Sequence, residues 1–320
     1  MTLVEIIRYM NDTKYNAGKI GEATYLRHNQ TIQLISSADV ANTEIDKITL
    51  EQLRTFLNSF IYDYSDSSIG KIYTHCKNAF RYSEKHKYIV KNIMEDIEEL
   101  PKPSSRKMKR KVEALTIDEQ RKLISVLCNE ECCHKYKDII LLMLYTGMRI
   151  GEILALNYTM DFNFDARILI IHTTLTRDVN GKCILGRTTK TYTSSRIFPI
   201  TPIVERILRD ALYRCSKNRE CMLFWDYEND TFIDPSEVNS YLKRIAKKYK
   251  ICKHIHNHML RHTYATRCIE SGMPAVVLQK KLGHKDVSIT LNTYTSVFDK
   301  FEDKKDDEFM EYLVKNSLMI

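Results

Sequence analysis

Apolar positions in the first hundred residues recur at helical spacing. Glycine is sparse there, proline is absent before residue 101, and no segment alternates apolar and polar residues as a half-buried strand would. After Thr49, which predicts a capping box with Gln52, the apolar side chains lie three or four positions apart. They are Leu53, Phe56, Leu57, Phe60 and Ile61. The pattern predicts a helical domain over residues 1–98.

A further helix is expected from near Ser67, and its two sides differ in chemistry. The apolar stripe consists of Ile69, Ile72, Tyr73, Cys76 and Phe80. The opposite side carries residue types that can donate to phosphates or base edges, namely Lys71, His75, Asn78 and Arg81. An ordinary solvated helix face has the same composition, and these residues taken alone favour that interpretation.

A second domain begins near residue 116 and is again mainly helical. Thr116 and Glu119 predict a capping box, and a buried helix is expected from about residue 137 to 145. Thr146-Gly147 ends that helix, so Arg149 starts the next helical segment. Helices are expected to resume near Pro202, at Asp234-Pro235 and from His258 to the end.

Between Arg167 and Ile200 the helical pattern gives way to short β-favouring runs. They cover residues 168–171, 183–185 and 196–198, separated by Asn180-Gly181 and by a threonine-rich turn. These runs predict a small three-stranded antiparallel sheet. The expected fold class is therefore mainly α, with a helical first domain and an α+β second domain.

The net charge of +8 is unevenly distributed along the 320 residues. Residues 1–100 hold 12 basic and 14 acidic side chains, whereas residues 112–294 hold 27 basic and 20 acidic ones. The connector between them combines prolines and small polar residues with six cations: Lys102, Arg106, Lys107, Lys109, Arg110 and Lys111. We expect it to be extended and to lie along a phosphate backbone, although charge alone favours a solvated basic surface.

The cysteines and the apolar runs indicate a protein of the reducing cytoplasm. Nine cysteines stand at irregular positions, and Glu5 and Arg8 interrupt the apolar stretch near the start, so neither a disulfide framework nor a signal peptide is expected. The longest apolar run, residues 139–145, is far shorter than the ~20 residues that cross a bilayer. One cluster lacks the second ligand pair of a zinc site: Cys128, Cys132, Cys133 and His134.

Six residues of the second half suit the breakage of a phosphodiester without a metal ion. That reaction needs a nucleophile, cations on the non-bridging oxygens, an acid for the leaving oxygen and fixed geometry. Guanidinium groups match phosphate oxygens, and histidine changes charge near neutral pH. The candidates are Arg149, Lys190, His258, Arg261, His284 and Tyr294.

In order and spacing these six residues resemble the tyrosine recombinase (phage integrase) family, and the resemblance covers nearly the whole chain. It rests on Thr146-Gly147-Met148-Arg149-Ile150-Gly151-Glu152, Thr189-Lys190-Thr191, His258-Met259-Leu260-Arg261-His262, Leu282-Gly283-His284 and Asn292-Thr293-Tyr294-Thr295. The resemblance implies that Tyr294 is the nucleophile and that Arg149 and Arg261 clamp the phosphate. It implies that Lys190 protonates the leaving 5′ oxygen and that His258 exchanges a proton with the tyrosine. By the same resemblance, His284 donates a hydrogen bond to the phosphate and Glu152 supports the site.

Some assignments stay open at this level. Lys182 competes with Lys190 for the same hairpin position, and an ion pair between Arg149 and Glu152 is an alternative to phosphate binding. His262 is adjacent to Arg261 and is expected to point elsewhere, as a core or helix-capping residue. No metal, ATP or other cofactor is expected, because no Walker loop and no carboxylate cluster is present in the sequence.

The resemblance also implies a domain organisation and partners. A SAM-like core-binding DNA-binding domain covers 1–98, a basic linker 99–115, a catalytic domain 116–296 and a tail helix 297–320, and the domains form a C-shaped clamp around DNA. Expected partners are double-stranded DNA with specific core sites, a homo-tetramer on two duplexes, and, as a candidate, an accessory DNA-bending or directionality protein; no membrane is expected. The apolar tail suits docking on a neighbouring subunit and packing on its own domain equally well.

The predicted function is integrase-type recombination of a mobile element. An Xer-like chromosome or plasmid resolvase and a DNA invertase would carry the same residues. A type IB topoisomerase uses a similar set, but the apolar tail and the compact spacing argue against it. A non-catalytic DNA-binding regulator would not need the nucleophile.

Overall fold

The computed structural model describes residues 1–97, 113–129, 134–186 and 195–298, together with 310–311 and 314–315. The chain divides into two compact units: residues 1–109 together with 177–182, and residues 110–176 together with 183–320. Within the described residues, no helix is long and apolar enough to span a bilayer.

In the first unit, the described residues 1–97 contain four α-helices around one core. Their bounds are Leu3–Asn16 (α1), Glu22–Ser36 (α2), Leu50–Ser59 (α3) and Asp66–Lys85 (α4), with 3-10 turns at Asp39–Asn42 and Ile93–Asp96. The capping box of Thr49 and Gln52 is confirmed, because each side chain bonds the other residue's backbone N–H. Helix α4 starts just before the expected Ser67, since Ser65 caps it, and its apolar stripe packs into the core.

The second unit is built around a buried central helix. Its helices are Ile117–Cys128 (α5), His134–Thr146 (α6), Ile150–Leu154 (α7), Pro202–Arg214 (α8), Pro235–Lys248 (α9), Asn257–Glu270 (α10), Ala275–Leu282 (α11) and Val287–Phe298 (α12). Residues 139–144 of α6 are each at most 5% exposed, and α6 packs on α8 and α10. The predicted caps at Thr116 and Asp234 are both present.

A three-stranded antiparallel sheet lies in this unit, as predicted, but one of its strands differs. The order is β1 (Phe162–Asn163), β2 (Ile168–Ile171) and β5 (Arg196–Pro199). The run at 183–185 does not join it; Cys183–Leu185 (β4) pairs with Leu175–Arg177 (β3). The physical reason is local: the turn at Gly181, with φ +81°, closes the hairpin through a bond from Asp178 N to Lys182 O. A further hairpin, β6 (Trp225–Asp226) with β7 (Thr231–Phe232), was not predicted.

Candidate active site

The turn between α6 and α7 places Arg149 at a helix start. Thr146 ends α6 by donating to Leu142 O, and its Oγ1 accepts from Met148 N. Gly147 adopts φ +63°, and a Cβ there would lie 2.3 Å from the Tyr264 ring. The position therefore requires glycine for its backbone conformation and for space. Arg149 is the N-cap residue of α7, as predicted.

Glu152 is the centre of a buried ion-pair cluster. It accepts bonds from Arg149 N (2.8 Å), from Arg149 Nη1 (2.9 Å) and from Arg196 through both Nη1 (3.0 Å) and Nη2 (2.7 Å). Burial alone would raise the pKa of the Glu152 carboxyl, but the hydrogen bonds and charge of Arg196, with Arg149, lower it to about 2. The carboxylate is therefore ionised and orients Arg149, whose side chain remains 42% exposed.

Arg261 is a buried cation that joins the ends of two other helices. Its Nη1 donates to Gly147 O at 2.7 Å, and its Nη2 donates to Leu282 O at 2.6 Å. Burial, with the charge of Arg149, lowers the pKa of Arg261 to about 10, which still leaves the guanidinium charged at neutral pH. Arg261 therefore places a fixed positive charge in the interior of a pocket, which is formed by Arg149, Glu152, Arg261 and the residues described next.

Tyr294 lies inside the same pocket. Its side chain is 1% exposed, and its backbone (φ −116°, ψ 16°) kinks α12 at this residue. The Oη atom lies 2.8 Å from Nδ1 of His262. Burial raises the pKa of the phenol to about 12, although the charge of Arg261 lowers it in part. The hydroxyl is protonated at neutral pH and close enough to Arg261 to respond to its charge.

Two further histidines complete the pocket. His284 follows Gly283, which ends α11 with φ +64°, and its Nδ1 lies 2.9 Å from Thr290 Oγ1. The ring of His258 contacts the ring of His262 edge-on, with centroids 5.3 Å apart. Burial and then the charges of Arg261 and Arg149 lower the pKa of His258, and lower that of His284 to about 4. Both imidazoles are neutral donors at neutral pH in the absence of an anion.

Comparison with known proteins shows the family to which this chain belongs. The model of the phage integrase family matches residues 113–300, more than half of the chain. The chain belongs to the phage integrase family. It is 26% identical over 311 residues to an integrase of Staphylococcus phage L54a, covering 88% of this chain and 85% of that protein. It is 30% identical over 236 residues to a tyrosine recombinase of Thermosipho africanus, covering 73% of each.

Solved structures of tyrosine recombinases share the fold. The integrase of transposon Tn1549 in complex with circular intermediate DNA has a TM-score of 0.78 at 20% identity, covering 92% of this chain and 95% of that one. A lambda integrase dimer bound to a COC′ core site has a TM-score of 0.65 at 18% identity, with 92% and 95% covered. As a tyrosine recombinase, the protein is an enzyme that cleaves and rejoins DNA.

Five of the six candidate residues lie close enough together for their charges to act on one another. The charges of Arg149 and Arg261 act on His258 and His284, and that of Arg261 acts on Tyr294. Lys190 lies outside the described residues, as do the linker cations Lys102, Arg106, Lys107, Lys109, Arg110 and Lys111.

The expectation for His262 was wrong. This residue bonds the Tyr294 hydroxyl instead of pointing elsewhere, and the described residues show no such bond from His258. The signal was present in the sequence: 258, 261 and 262 are spaced by three and four, which places all three on one helix face.

Sequence reasoning also missed Arg196, which bonds Glu152 beside the candidate residues. Besides Glu152 it bonds Lys281 O through Nε at 2.9 Å, and a Cβ on Gly283 would lie 2.9 Å from its Nη1. Arg196 thus joins β5 to α7 and to the turn that holds His284. Its charge at the start of a short apolar strand was the available clue.

The four candidates on α4 differ in exposure. Lys71 and Arg81 are exposed, whereas His75 and Asn78 are partly buried. The His75 ring meets that of His28 edge-on at 4.9 Å, and burial lowers the pKa of His75 to about 4. His75 is therefore a neutral donor on this helix, while Lys71 and Arg81 supply positive charge.

Proposed function

We propose that this enzyme is an integrase-type site-specific recombinase that acts through a 3′-phosphotyrosyl intermediate on Tyr294. Relatives from a phage and from transposons are named integrase and transposase, which supports a mobile-element role. The observation that carries the chemistry is the buried Tyr294 hydroxyl in a pocket with Arg149 and Arg261.

The covalent step exchanges one phosphate ester for another. Tyr294 Oη loses its proton to a base in the pocket as it attacks phosphorus, the bond from phosphorus to the 5′ oxygen breaks, and the departing oxygen takes a proton from Lys190. A 5′ hydroxyl of a partner strand then attacks the phosphotyrosine and releases Tyr294. Because the ester energy is retained in the protein link, joining needs no ATP.

The two arginines stabilise the charge that develops on the non-bridging oxygens. Arg149 is oriented by Glu152 and stays partly exposed, so its guanidinium can reach a bound phosphate. Arg261 is held by Gly147 O and Leu282 O, so its charge is fixed before the substrate arrives. Fixed charges need little reorganisation during the reaction and therefore favour the transition state. In this scheme His258 and His284 donate to the phosphate oxygens.

DNA binding uses both units and the segment between them. We assign residues 1–98 as the core-binding domain, 99–115 as the basic linker, 116–296 as the catalytic domain and 297–320 as the tail. Lys71 and Arg81 on α4 contact phosphates, His75 and Asn78 donate nearer the bases, and the linker cations follow the backbone. The enzyme acts in the cytoplasm, on the nucleoid, as a homo-tetramer on two duplexes with core sites, and an accessory DNA-bending or directionality protein is a candidate partner.

The tail of one copy docks on another. A groove of about 2010 Å³ in the second unit has apolar lining residues that include Ile255 and Met259. Its lining carries a net positive charge, from five cations and three carboxylates: Lys243, Lys247, Lys250, Lys253 and Arg267, and Glu113, Glu119 and Glu270. Residues 299–320 carry 7 acidic and 4 basic side chains among apolar ones. Opposite charge and matching apolar surface favour this groove as the acceptor of the tail in a neighbouring subunit.

A suicide duplex tests the nucleophile. The duplex spans the junction between the mobile element that carries the gene and its flanking DNA, with a nick beside the cleavage position that traps the covalent product. Tyr294→Phe should bind this duplex with unchanged affinity and form no adduct, whereas Tyr213→Phe, whose ring is 92% exposed, should form it at the parental rate. An adduct that persists in Tyr294→Phe would place the nucleophile elsewhere.

A further inference from the structure

The hydrogen bond between Tyr294 and His262 defines where the phenol proton lies. Oη and Nδ1 are 2.8 Å apart, and the two ring centroids are 5.7 Å apart at 66°. A phenol with a pKa raised to about 12 is the donor at neutral pH. Burial, with the charges of His258, Arg261 and His256, lowers the pKa of His262 to about 4, so Nδ1 of the neutral ring is the acceptor.

The reaction cannot leave this proton in place. A protonated phenol is a poor nucleophile. Its oxygen must also lose the proton when it becomes the bridging oxygen of the aryl phosphate ester. Solvent is a poor acceptor here because the Tyr294 side chain is only 1% exposed. Among the described residues, His262 is the hydrogen-bond partner of this hydroxyl, whereas the His258 ring contacts His262 rather than Tyr294.

We propose that His262 is a catalytic residue of the recombinase, the base that takes the Tyr294 proton in cleavage and the acid that returns it in joining. The proposal rests on Tyr294 as the nucleophile. As the bond from Oη to phosphorus forms, the phenol proton moves to Nδ1 and gives an imidazolium. The bond from phosphorus to the 5′ oxygen breaks, and that oxygen takes its proton from Lys190. Joining reverses each transfer, so protons and charge balance.

The surroundings of His262 connect its basicity to the substrate. The groups that act on the ring are His258 and Arg261 on α10, His256 at the start of α10 and Tyr294 on α12. In the free enzyme the positive charge of Arg261 opposes protonation of His262. A bound phosphate neutralises part of that charge, and the transition state adds more negative charge. The base therefore becomes stronger when DNA occupies the pocket.

Two modified substrates separate the two proton transfers. The suicide duplex is prepared with the normal scissile phosphate and with a 5′-bridging phosphorothiolate, whose sulfur leaves without an acid. His262→Asn should slow single-turnover cleavage of both duplexes by roughly 100- to 10 000-fold, the usual range for general acid–base catalysis. Lys190→Ala should be slow on the normal duplex and recover on the phosphorothiolate. Recovery of His262→Asn on the phosphorothiolate would assign His262 to the leaving group and overturn the proposal.

The pH profile gives a second readout. The second-order rate of cleavage at limiting DNA, which reports ionisations of the free enzyme, should change little for the parent between pH 6 and 8, because the imidazole of the free enzyme is neutral there. In His262→Asn the phenol must ionise before attack, so the rate should rise about tenfold per pH unit over the same range. A rate that does not depend on pH in the variant contradicts the proposed role.

Controls distinguish loss of the proposed His262 role from a folding defect and from a wrong assignment of the nucleophile. His86→Asn removes an exposed histidine of the first unit that has no assigned role, and this variant should cleave at the parental rate. His262→Ala should regain activity with added imidazole, because His262 lines the groove of about 2010 Å³ in the second unit and a small base can reach it. Failure of rescue in a variant with parental thermal unfolding counts against the proposal. An adduct in Tyr294→Phe would instead refute the nucleophile, whatever His262 does.

Discussion

Glu152→Gln tests whether the buried ion-pair cluster holds the active site together. The substitution keeps the shape of the side chain and removes the negative charge that Arg149 and Arg196 contact. The Glu152 side chain is 8% exposed and that of Arg196 is 9% exposed, so solvent screens the pair weakly.

The structure sets the expected magnitude. The pKa of Glu152 falls from its ordinary value of 4.5 to about 2 on folding. This difference corresponds to about 3 kcal/mol of stability, and removal of one partner from a buried pair typically costs about 3–5 kcal/mol. Because the folded pKa is depressed, the contribution is fully present above pH 4.5 and is lost as the pH falls toward about 2.

Urea unfolding followed by Trp225 fluorescence is the assay. Trp225 is the single tryptophan of the chain, is 3% exposed and lies in the second unit, so its signal reports that unit. Glu152→Gln should lower the unfolding free energy at pH 7 by about 3 kcal/mol, and the gap from the parent should shrink below pH 4.5. Asp118→Asn, at a side chain 91% exposed, should change it by less than about 0.5 kcal/mol. Equal unfolding midpoints of Glu152→Gln and the parent at pH 7 would refute the reasoning.

Three further predictions concern Gly147, the linker cations and the tail. Gly147→Ala should destabilise the second unit by roughly 2–4 kcal/mol in the same urea assay, because the new Cβ meets Tyr264 in a left-handed backbone; a loss of only about 1 kcal/mol, the cost of the backbone conformation alone, would exclude the Tyr264 contact. DNA affinity should fall steeply between 50 and 200 mM salt. Alanines at Lys109, Arg110 and Lys111 should reduce the slope of log affinity against log salt concentration by about 2–3, and an unchanged slope would show that these linker cations do not contact the phosphate backbone. Deletion of residues 299–320 should leave core-site binding intact and lower recombination between two duplexes, and unchanged recombination would exclude tail docking between subunits.

The sequence alone determined many of the local elements and the family of the protein. The capping boxes at Thr49 and Thr116 formed as predicted, because a capping box depends on residues three positions apart. Arg149 began a helix because Thr146-Gly147 ends the preceding one. The order and spacing of the six candidates predicted the tyrosine recombinase family, and the family comparison confirmed this prediction.

Only the tertiary structure decided which side chains meet. His262 and Tyr294 are 32 residues apart and Glu152 and Arg196 are 44 apart, so their contacts depend on how α10, α12, α7 and β5 pack. The strand at 183–185 had an equally β-favouring composition whichever partner it took, and the hairpin turn decided the pairing. Local patterns give the periodicity of an element, but the phase of one helix against another is set by packing of the core as a whole.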